Sequence, residues 1–458
     1  MALSVQARRI QPRRSNRPPM TAPERDPRSQ ALKLDGVPVA TLARKFGTPL
    51  YVYSHSTLVA NYDRIRQAFA EIDPLIAFST KSNTNGTILR ILLERGAGLD
   101  IVSGGELERA LRAGADPARI IYAGVGKTRE EIAAALNVRI LAFNVESPAE
   151  AEAINEVASG FGRKAPVAVR VNPDVAADTH HYISTGRKET KFGIPYHDVR
   201  RLCRRLARMP HLRLIGVHAH IGSQITQTEP FVKALERVVQ LTHQLRRDGL
   251  SIDLVNLGGG FGIGYEESTQ PIDLEELARR MMPMLRELRA QVIFEPGRSI
   301  VGPAGFLLTR VLYIKEAQTK CFAIVDGAMN DLLRPSLYSA YHRILLDGRP
   351  GRGRRRVYDV VGPICETGDF LGKDRPFPPL KPDDLLLVCD AGAYGMTMAS
   401  NYNSRPRPAE VLVRQDKAYL IRHRETIDQI IGCEEIPPFL NGSGAEQRSA
   451  RSPRKVRA

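Results

Sequence analysis

From Ile76 onward, short apolar runs alternate with stretches whose apolar residues recur at helical spacing. The runs are Ile76–Ser79, Leu99–Val102, Ile120–Ala123, Ile140–Val145, Val167–Val171, Leu214–His218, Leu254–Leu257 and Val292–Phe294. Between them lie helical patterns such as Leu107, Ala110 and Leu111, or Val232, Leu235, Val238 and Val239. Eight strand–helix alternations in about 220 residues predict an α/β architecture, a (β/α)8 barrel of TIM type. A doubly wound open sheet competes, but the count of eight and the placement of polar residues favour the barrel. Before it, Val39–Phe46 reads as a short helix and Leu50–Tyr53 as a strand. Beyond Pro303 the grammar changes to alternating runs at Phe306–Ile314, Cys321–Val325, Val357–Val361, Leu385–Cys389, Glu410–Val413 and Ala418–Ile421. These predict a mostly β C-terminal domain that takes in the Leu50–Tyr53 strand. The expected division is a barrel over 50–303 and a β domain over 30–49 and 304–436 that completes the active site. Disordered basic tails are expected at 1–29 and 437–458.

In such barrels function collects at the carboxyl ends of the strands. The runs are followed there by Lys81, by Ser103 with Gly104 and Gly105, by Asn144 and by Asn172. Next come His220 with Ser223, then Gly258 to Gly260, then Glu295 with Arg298. All are expected to face one bowl. Lys81 stands at the mouth of a strand-to-helix turn. Burial there favours its neutral amine, the form that attacks carbonyls, and makes it a candidate for imine formation. Taken alone it also reads as a surface lysine after a strand.

Other constellations carry chemistry, each beside a plainer reading. Gly258, Gly259 and Gly260 let backbone N–H groups approach an anion, or simply make a tight turn. Glu295 is placed to hold a proton on a pyridine nitrogen, and Arg298 to meet a phosphate or carboxylate; an ordinary ion pair is the alternative. His218 and His220 share a strand face, and a flat imidazole suits stacking on an aromatic cofactor. Metal ligation lacks a third ligand nearby, and a core histidine remains open. Cys365, beside Glu366 and Asp369, is a candidate acid that returns a proton to carbon, although a lone Cys is usually a small buried hydrophobe. Arg334 and Tyr338 offer a cation and a phenol to an acidic substrate, and Tyr394 sets another phenol on a strand end.

Charge changes the picture less than its size suggests. The net charge is +16, yet residues 1–29 carry seven Arg against Glu24 and Asp26, and residues 441–458 carry five basic residues against Glu446. Arg349 to Arg356 adds five arginines in a Gly-containing loop. The excess sits where a core cannot form, and no basic helix interleaved with aromatics supports a nucleic-acid partner. No apolar run reaches membrane-spanning length, so no membrane role is expected. Five cysteines without metal-ligand spacing fit a reducing cytoplasm. The Arg-rich start also admits a transit peptide, against which Pro12, Pro18 and Pro19 break the required helix.

Taken together these motifs resemble the pyridoxal-phosphate decarboxylases built on an alanine-racemase-like barrel (fold type III), most closely the branch that acts on diaminopimelate. The similarity runs from about Leu50 to Ile431. It rests on the Lys81 segment, VSGGE at Val102, ISTG at Ile183, KFGI at Lys191, HIGSQ at His220, GGGFG at Gly258, EPGR at Glu295, the Arg334–Tyr338 stretch, CETGD at Cys365 and GAYG at Gly392. The resemblance implies a pyridoxal 5'-phosphate enzyme that decarboxylates meso-2,6-diaminopimelate to L-lysine, the last step of lysine biosynthesis. It implies that Lys81 binds the cofactor covalently, His220 stacks on its ring and Glu295 meets the ring nitrogen. Ser223, Gly259, Gly260, Gly297, Arg298 and Tyr394 would surround the phosphate. Arg298, Arg334, Tyr338, Glu366 and Tyr394 would grip the substrate, with Cys365 as proton donor. Cys365 and Glu366 would come from the partner subunit of a homodimer. The family more often reads Tyr-Ala-Val-Lys-Ala-Asn where this chain has Phe78 to Asn83, and Thr367 replaces a Ser. Decarboxylases of the same fold for arginine, ornithine or carboxynorspermidine are the rivals, and a non-catalytic cofactor-binding relative is the reading from another class. A racemase fits less well, because Glu295 sustains a stronger electron sink than racemisation needs.

Overall fold

The computed structural model describes residues 23–175, 191–349, 351 and 353–440. The ISTG motif, Pro350, Arg352 and the tails at 1–22 and 441–458 lie outside the described residues.

Eight parallel strands close a barrel: β1 (Leu75–Ser79), β2 (Gly98–Ile101), β3 (Ile120–Tyr122), β4 (Ala142–Val145), β5 (Ala165–Asn172), β6 (Leu212–Ala219), β7 (Leu254–Asn256) and β8 (Gln291–Phe294). Each pairs with the next, and Phe294↔Ile76 closes the ring from β8 to β1. The period of two sorts the side chains. Leu75, Ala77, Ile121, Ala142, Ala168, Ile215, Leu254 and Ile293 form a small core inside the barrel. The residues between them, such as Ile76, Phe78, Val169 and Phe294, join the larger core under the helices. One step above the inner core the inward face turns polar. Ser79, Asp100, Asn144, Arg170, His218, Asn256 and Glu295 are all buried there, so every strand except β3 sends a polar group to the rim. Phe294 fixes the last of these, because its ring packs 4.5 Å from Phe69 and 5.9 Å from Phe261 while the next residue, Glu295, turns inward.

The second sheet is mostly antiparallel and is built on the long strand Gly305–Glu316. Leu50–Ser54 lies in this sheet, between Gly305–Glu316 and Ala409–Arg414, rather than in the barrel unit whose expected start was residue 50. The apolar face of Val39–Phe46 packs there too: Leu32, Leu34, Val39 and Leu42 share a core with Leu50, Val52, Phe306 and Leu308. Part of the expected N-terminal tail is structured. Glu24–Arg25 pairs with Leu32 and Lys33, because Asp26 accepts hydrogen bonds from the backbone of Arg28 and Ser29 and closes the turn. At the other end of the chain, Pro438–Leu440 forms a short 3-10 turn inside the segment expected as a tail. Among the described residues no helix is long and apolar enough to cross a membrane, and no group of three or more His, Cys, Asp or Glu could hold a metal ion.

The two units are fastened at the turn that carries Lys81. Tyr394 N–H donates to the Ser82 carbonyl at 2.9 Å, and Asn83 donates to the Gly392 carbonyl at 3.1 Å. The β domain thereby forms one wall of the bowl.

Candidate active site

A cavity of about 420 Å³ opens at the carboxyl end of the barrel. Its lining includes Lys81, His220, Ser223, Gly260, Glu295, Gly297, Arg298, Arg334, Tyr338 and Tyr394.

Lys81 sits on a short turn, Thr80–Ser82, immediately after β1. Its Nζ lies 3.0 Å from Asp100 on β2, and 41% of its side-chain surface remains accessible, facing the cavity. The expected neutral amine is not what the surroundings favour. Burial does pull the ammonium down, but Asp100, Tyr394 and Glu295 outweigh it and hold Lys81 above its ordinary value. Asp100 also accepts from Ser79 Oγ at 2.8 Å, while its Oδ1 has no hydrogen-bond partner among the described residues.

Glu295 is buried across the bowl. Asn256 donates to its Oε1 at 2.6 Å, Asn144 reaches the same oxygen at 3.4 Å, and His218 Nε2 lies 3.3 Å from Oε2. Burial alone would raise this carboxyl. His218, Lys81 and the Asn256 amide reverse that and hold it well below the ordinary carboxylate range. The result is a fixed negative charge on a carboxylate that is itself largely removed from water. His220, just beyond β6, accepts a hydrogen bond from Gly259 N–H on Nδ1 at 3.2 Å. Burial, Arg170 and Lys81 hold its imidazole well below the ordinary value, so it is neutral and the proton sits on Nε2.

The outer end of the cavity is cationic. Arg298 donates to Tyr265 Oη at 2.8 Å and to Ser223 Oγ at 3.1 Å, and its guanidinium lies 4.9 Å from the Tyr394 ring centroid. The fork expected to meet an anion is therefore already aimed by two hydroxyls. Arg334 begins the short helix Arg334–Tyr338 and lies 4.6 Å from the Tyr265 ring centroid and 2.7 Å from His342. Gly258 and Gly260 adopt positive φ (65° and 101°), and a Cβ on Gly260 would stand 2.3 Å from the Gly222 carbonyl oxygen. Gly259 approaches the Glu295 carbonyl just as closely, at 2.0 Å for the same hypothetical atom.

Two sequence candidates are not brought here within one chain. Cys365 and Glu366 are exposed on the β domain and are absent from the cavity lining. The Cys365 backbone N–H donates to Asn403 at 2.9 Å. Sequence reasoning also missed Asp100, Arg170, Tyr265 and His342. The first two were open to it, since they stand at inward positions of recognised strands. The other two sit in segments without period or motif.

Residues 55–302 match the family described as pyridoxal-dependent decarboxylase, pyridoxal binding domain. The chain is 48% identical over 411 residues to the diaminopimelate decarboxylase of Pseudomonas aeruginosa, which covers 90% of this chain and 98% of that protein. A crystal structure of diaminopimelate decarboxylase from M. jannaschii in co-complex with L-lysine superposes with a TM-score of 0.85 at 38% identity, covering 90% of this chain and 97% of that one. The Helicobacter pylori enzyme complexed with L-lysine gives 0.82 at 39%, covering 86% and 98%. With sequence identity of this order across nearly the whole length of its relatives, the chain belongs to the diaminopimelate decarboxylases, within the pyridoxal-dependent decarboxylases.

Proposed function

We propose that this chain decarboxylates meso-2,6-diaminopimelate to L-lysine and CO2 with pyridoxal 5'-phosphate as cofactor. The observation that carries the reading is the polarity of one cavity: an amine and a fixed carboxylate at its base, two arginines without a carboxylate partner among the described residues at its mouth. The residues present fit the cofactor. The glycine cradle of Gly258 to Gly260 has no room for side chains, and the buried Asp100 Oδ1 and Arg298 Nε lack partners among the described residues. When bound, the group supplies an aldehyde for the amine and a protonated ring that accepts the electron pair left by departing CO2.

The chain's own residues then divide the work. Lys81 holds the cofactor covalently. Glu295 keeps a proton on the ring nitrogen, and His220 offers a flat neutral face. Ser223, Gly259, Gly260, Gly297, Arg298 and Tyr394 surround the phosphate. A substrate with an amino-acid head at its far end presents a carboxylate to Arg334 and to the Tyr338 hydroxyl, while an amine-ended substrate would leave that arginine opposed by a like charge. By gripping the far end of the substrate, Arg334 and Tyr338 would fix its orientation in the cavity and so which Cα bond is open to cleavage. Cys365 returns the proton to carbon, and Glu366 meets the distal ammonium. Their exposure away from the cavity supports a homodimer in which a second copy supplies both. Five free cysteines favour a reducing cytoplasm as its place of work.

Incubation of the purified protein with meso-diaminopimelate, arginine and ornithine in turn, scoring CO2, tests the substrate. Only the first is expected to respond; release from either of the others alone would overturn the assignment. Shared sites make a second expectation. Lys81→Ala and Cys365→Ala homodimers should each be nearly inactive, and their mixture should regain about a quarter of wild-type activity, because half the random dimers then carry one intact site of two. A mixture as inactive as its parents contradicts sharing. The cradle gives a third. Gly260→Ala introduces about 1–3 kcal/mol of backbone strain at a φ suited to glycine, and cofactor affinity read by absorbance titration should fall about tenfold or more.

A further inference from the structure

Arg334 is buried and makes a single side-chain hydrogen bond among the described residues, to His342. A long cation held so sparsely in a low-dielectric site must be aimed by that bond. His342 is wholly buried, with Nε2 2.7 Å from Arg334 NH1 and Nδ1 2.8 Å from the Cys389 carbonyl oxygen. A carbonyl only accepts and a guanidinium only donates. Nδ1 therefore carries the proton and Nε2 presents its lone pair to the arginine. The carbonyl is itself fixed: Cys389 N–H donates to the Arg343 carbonyl at 2.8 Å, and Ile344↔Val388 sets the register of the strand pair beside it. Tyr265 closes the remaining side, edge-on to the His342 ring at 5.2 Å and face-on to Arg334.

We propose that His342 is a positioning residue for substrate recognition, a tautomer-locked acceptor that aims Arg334 at the carboxylate of the substrate's far amino-acid head. The inference rests on the reading of Arg334 given above. A carboxylate in place of His342 would grip Arg334 harder but compete with the ligand for it; a neutral acceptor orients the guanidinium and leaves its charge for the substrate. Burial together with Arg334, Arg298 and Arg375 holds the imidazole well below its ordinary value, with only the Cys389 carbonyl opposing them, so the acceptor persists across the working range.

The test uses holoenzyme of wild type, His342→Phe, His342→Gln, His342→Asn, Arg334→Met and the double variant His342→Phe with Arg334→Met. It reads kcat and KM for meso-diaminopimelate and the affinity for L-lysine, followed by cofactor absorbance. Phe should raise KM and weaken lysine binding by about tenfold or more, the worth of a hydrogen bond to a charged group, with kcat changed by less than about threefold. Gln, which keeps an acceptor near Nε2, should recover most of the loss. The double variant should be no weaker than Arg334→Met. Independent multiplication of the two effects, a fall in kcat at constant KM, or no change beyond about twofold would each overturn the proposal. If Phe does not fold, Asn decides: its amide N–H can keep the bond to Cys389, but its shorter side chain leaves the amide oxygen short of Arg334, so an unchanged KM and lysine affinity would reject the idea. A wild type that releases no CO2 from diaminopimelate fails the functional reading alone, since lysine binding still reports on His342; a wild type that also binds no lysine removes both.

Discussion

Replacing Lys81 by alanine is expected to lower turnover of meso-diaminopimelate by on the order of 10⁴-fold or more, the scale on which removal of a nucleophile that works as part of a unit is felt. Borohydride treatment should fix the cofactor on residue 81 of the wild type and leave no such adduct in the variant. The surroundings of Lys81 add a pH dependence whose sign follows from its neighbours. Asp100 at 3.0 Å, with Tyr394 and Glu295, holds the amine protonated against the pull of burial. Below its raised pKa the neutral fraction grows about tenfold per pH unit. Loading of cofactor-free protein should therefore accelerate with rising pH between about pH 6 and 9. Asp100→Asn removes one negative charge from the pair and should shift that profile toward lower pH. A loading rate indifferent to pH in the wild type would contradict an ammonium held by Asp100. Asp100 would hold the Lys81 ammonium whenever that amine is not bound to the cofactor.

The barrel was legible because each strand is a short apolar run buried on both faces and each helix repeats on one face, so the two periods alternate without ambiguity. The same logic located Lys81, His220, Glu295 and Arg298, which stand just past strand ends. It failed where partners are remote. The barrel boundary set at residue 50 is one case: Leu50–Ser54 pairs with Gly305–Glu316 and Ala409–Arg414, as expected of a strand the β domain takes in, so the barrel unit begins after it. The strand Phe370–Phe377 was missed because Lys373, Asp374, Arg375 and Pro376 interrupt its apolar pattern, a composition that an edge strand tolerates. The protonation state of Lys81 was misjudged for a related reason. Burial can be read from one strand, whereas the groups that overrule it come from β2, from Tyr394 of the β domain and from the end of β8. His342 carries no motif at all, since its role exists only through the carbonyl of Cys389 and the guanidinium of Arg334.

Glu295→Gln should cost about 10²–10³-fold in kcat, the range seen when one electrostatic contact to developing charge is removed from a closed site. The substitution keeps shape and the capacity to accept from Asn256, so cofactor affinity should change by less than about tenfold. What is lost is the negative charge, and with it the means of keeping a proton on a ring nitrogen against burial. The structure invests heavily in that charge. His218 stands 3.3 Å away and two asparagines converge on one oxygen, an arrangement that a neutral amide would not require. His218→Phe should act in the same direction but less strongly, because it leaves the carboxylate in place while removing one group that favours its ionised form. The ordering is the informative part: Gln below Phe in kcat, with both retaining cofactor absorbance, assigns the loss to charge rather than to packing. A Glu295→Gln enzyme within about tenfold of wild type would mean that the electrons left behind by CO2 are stabilised by something other than this carboxylate.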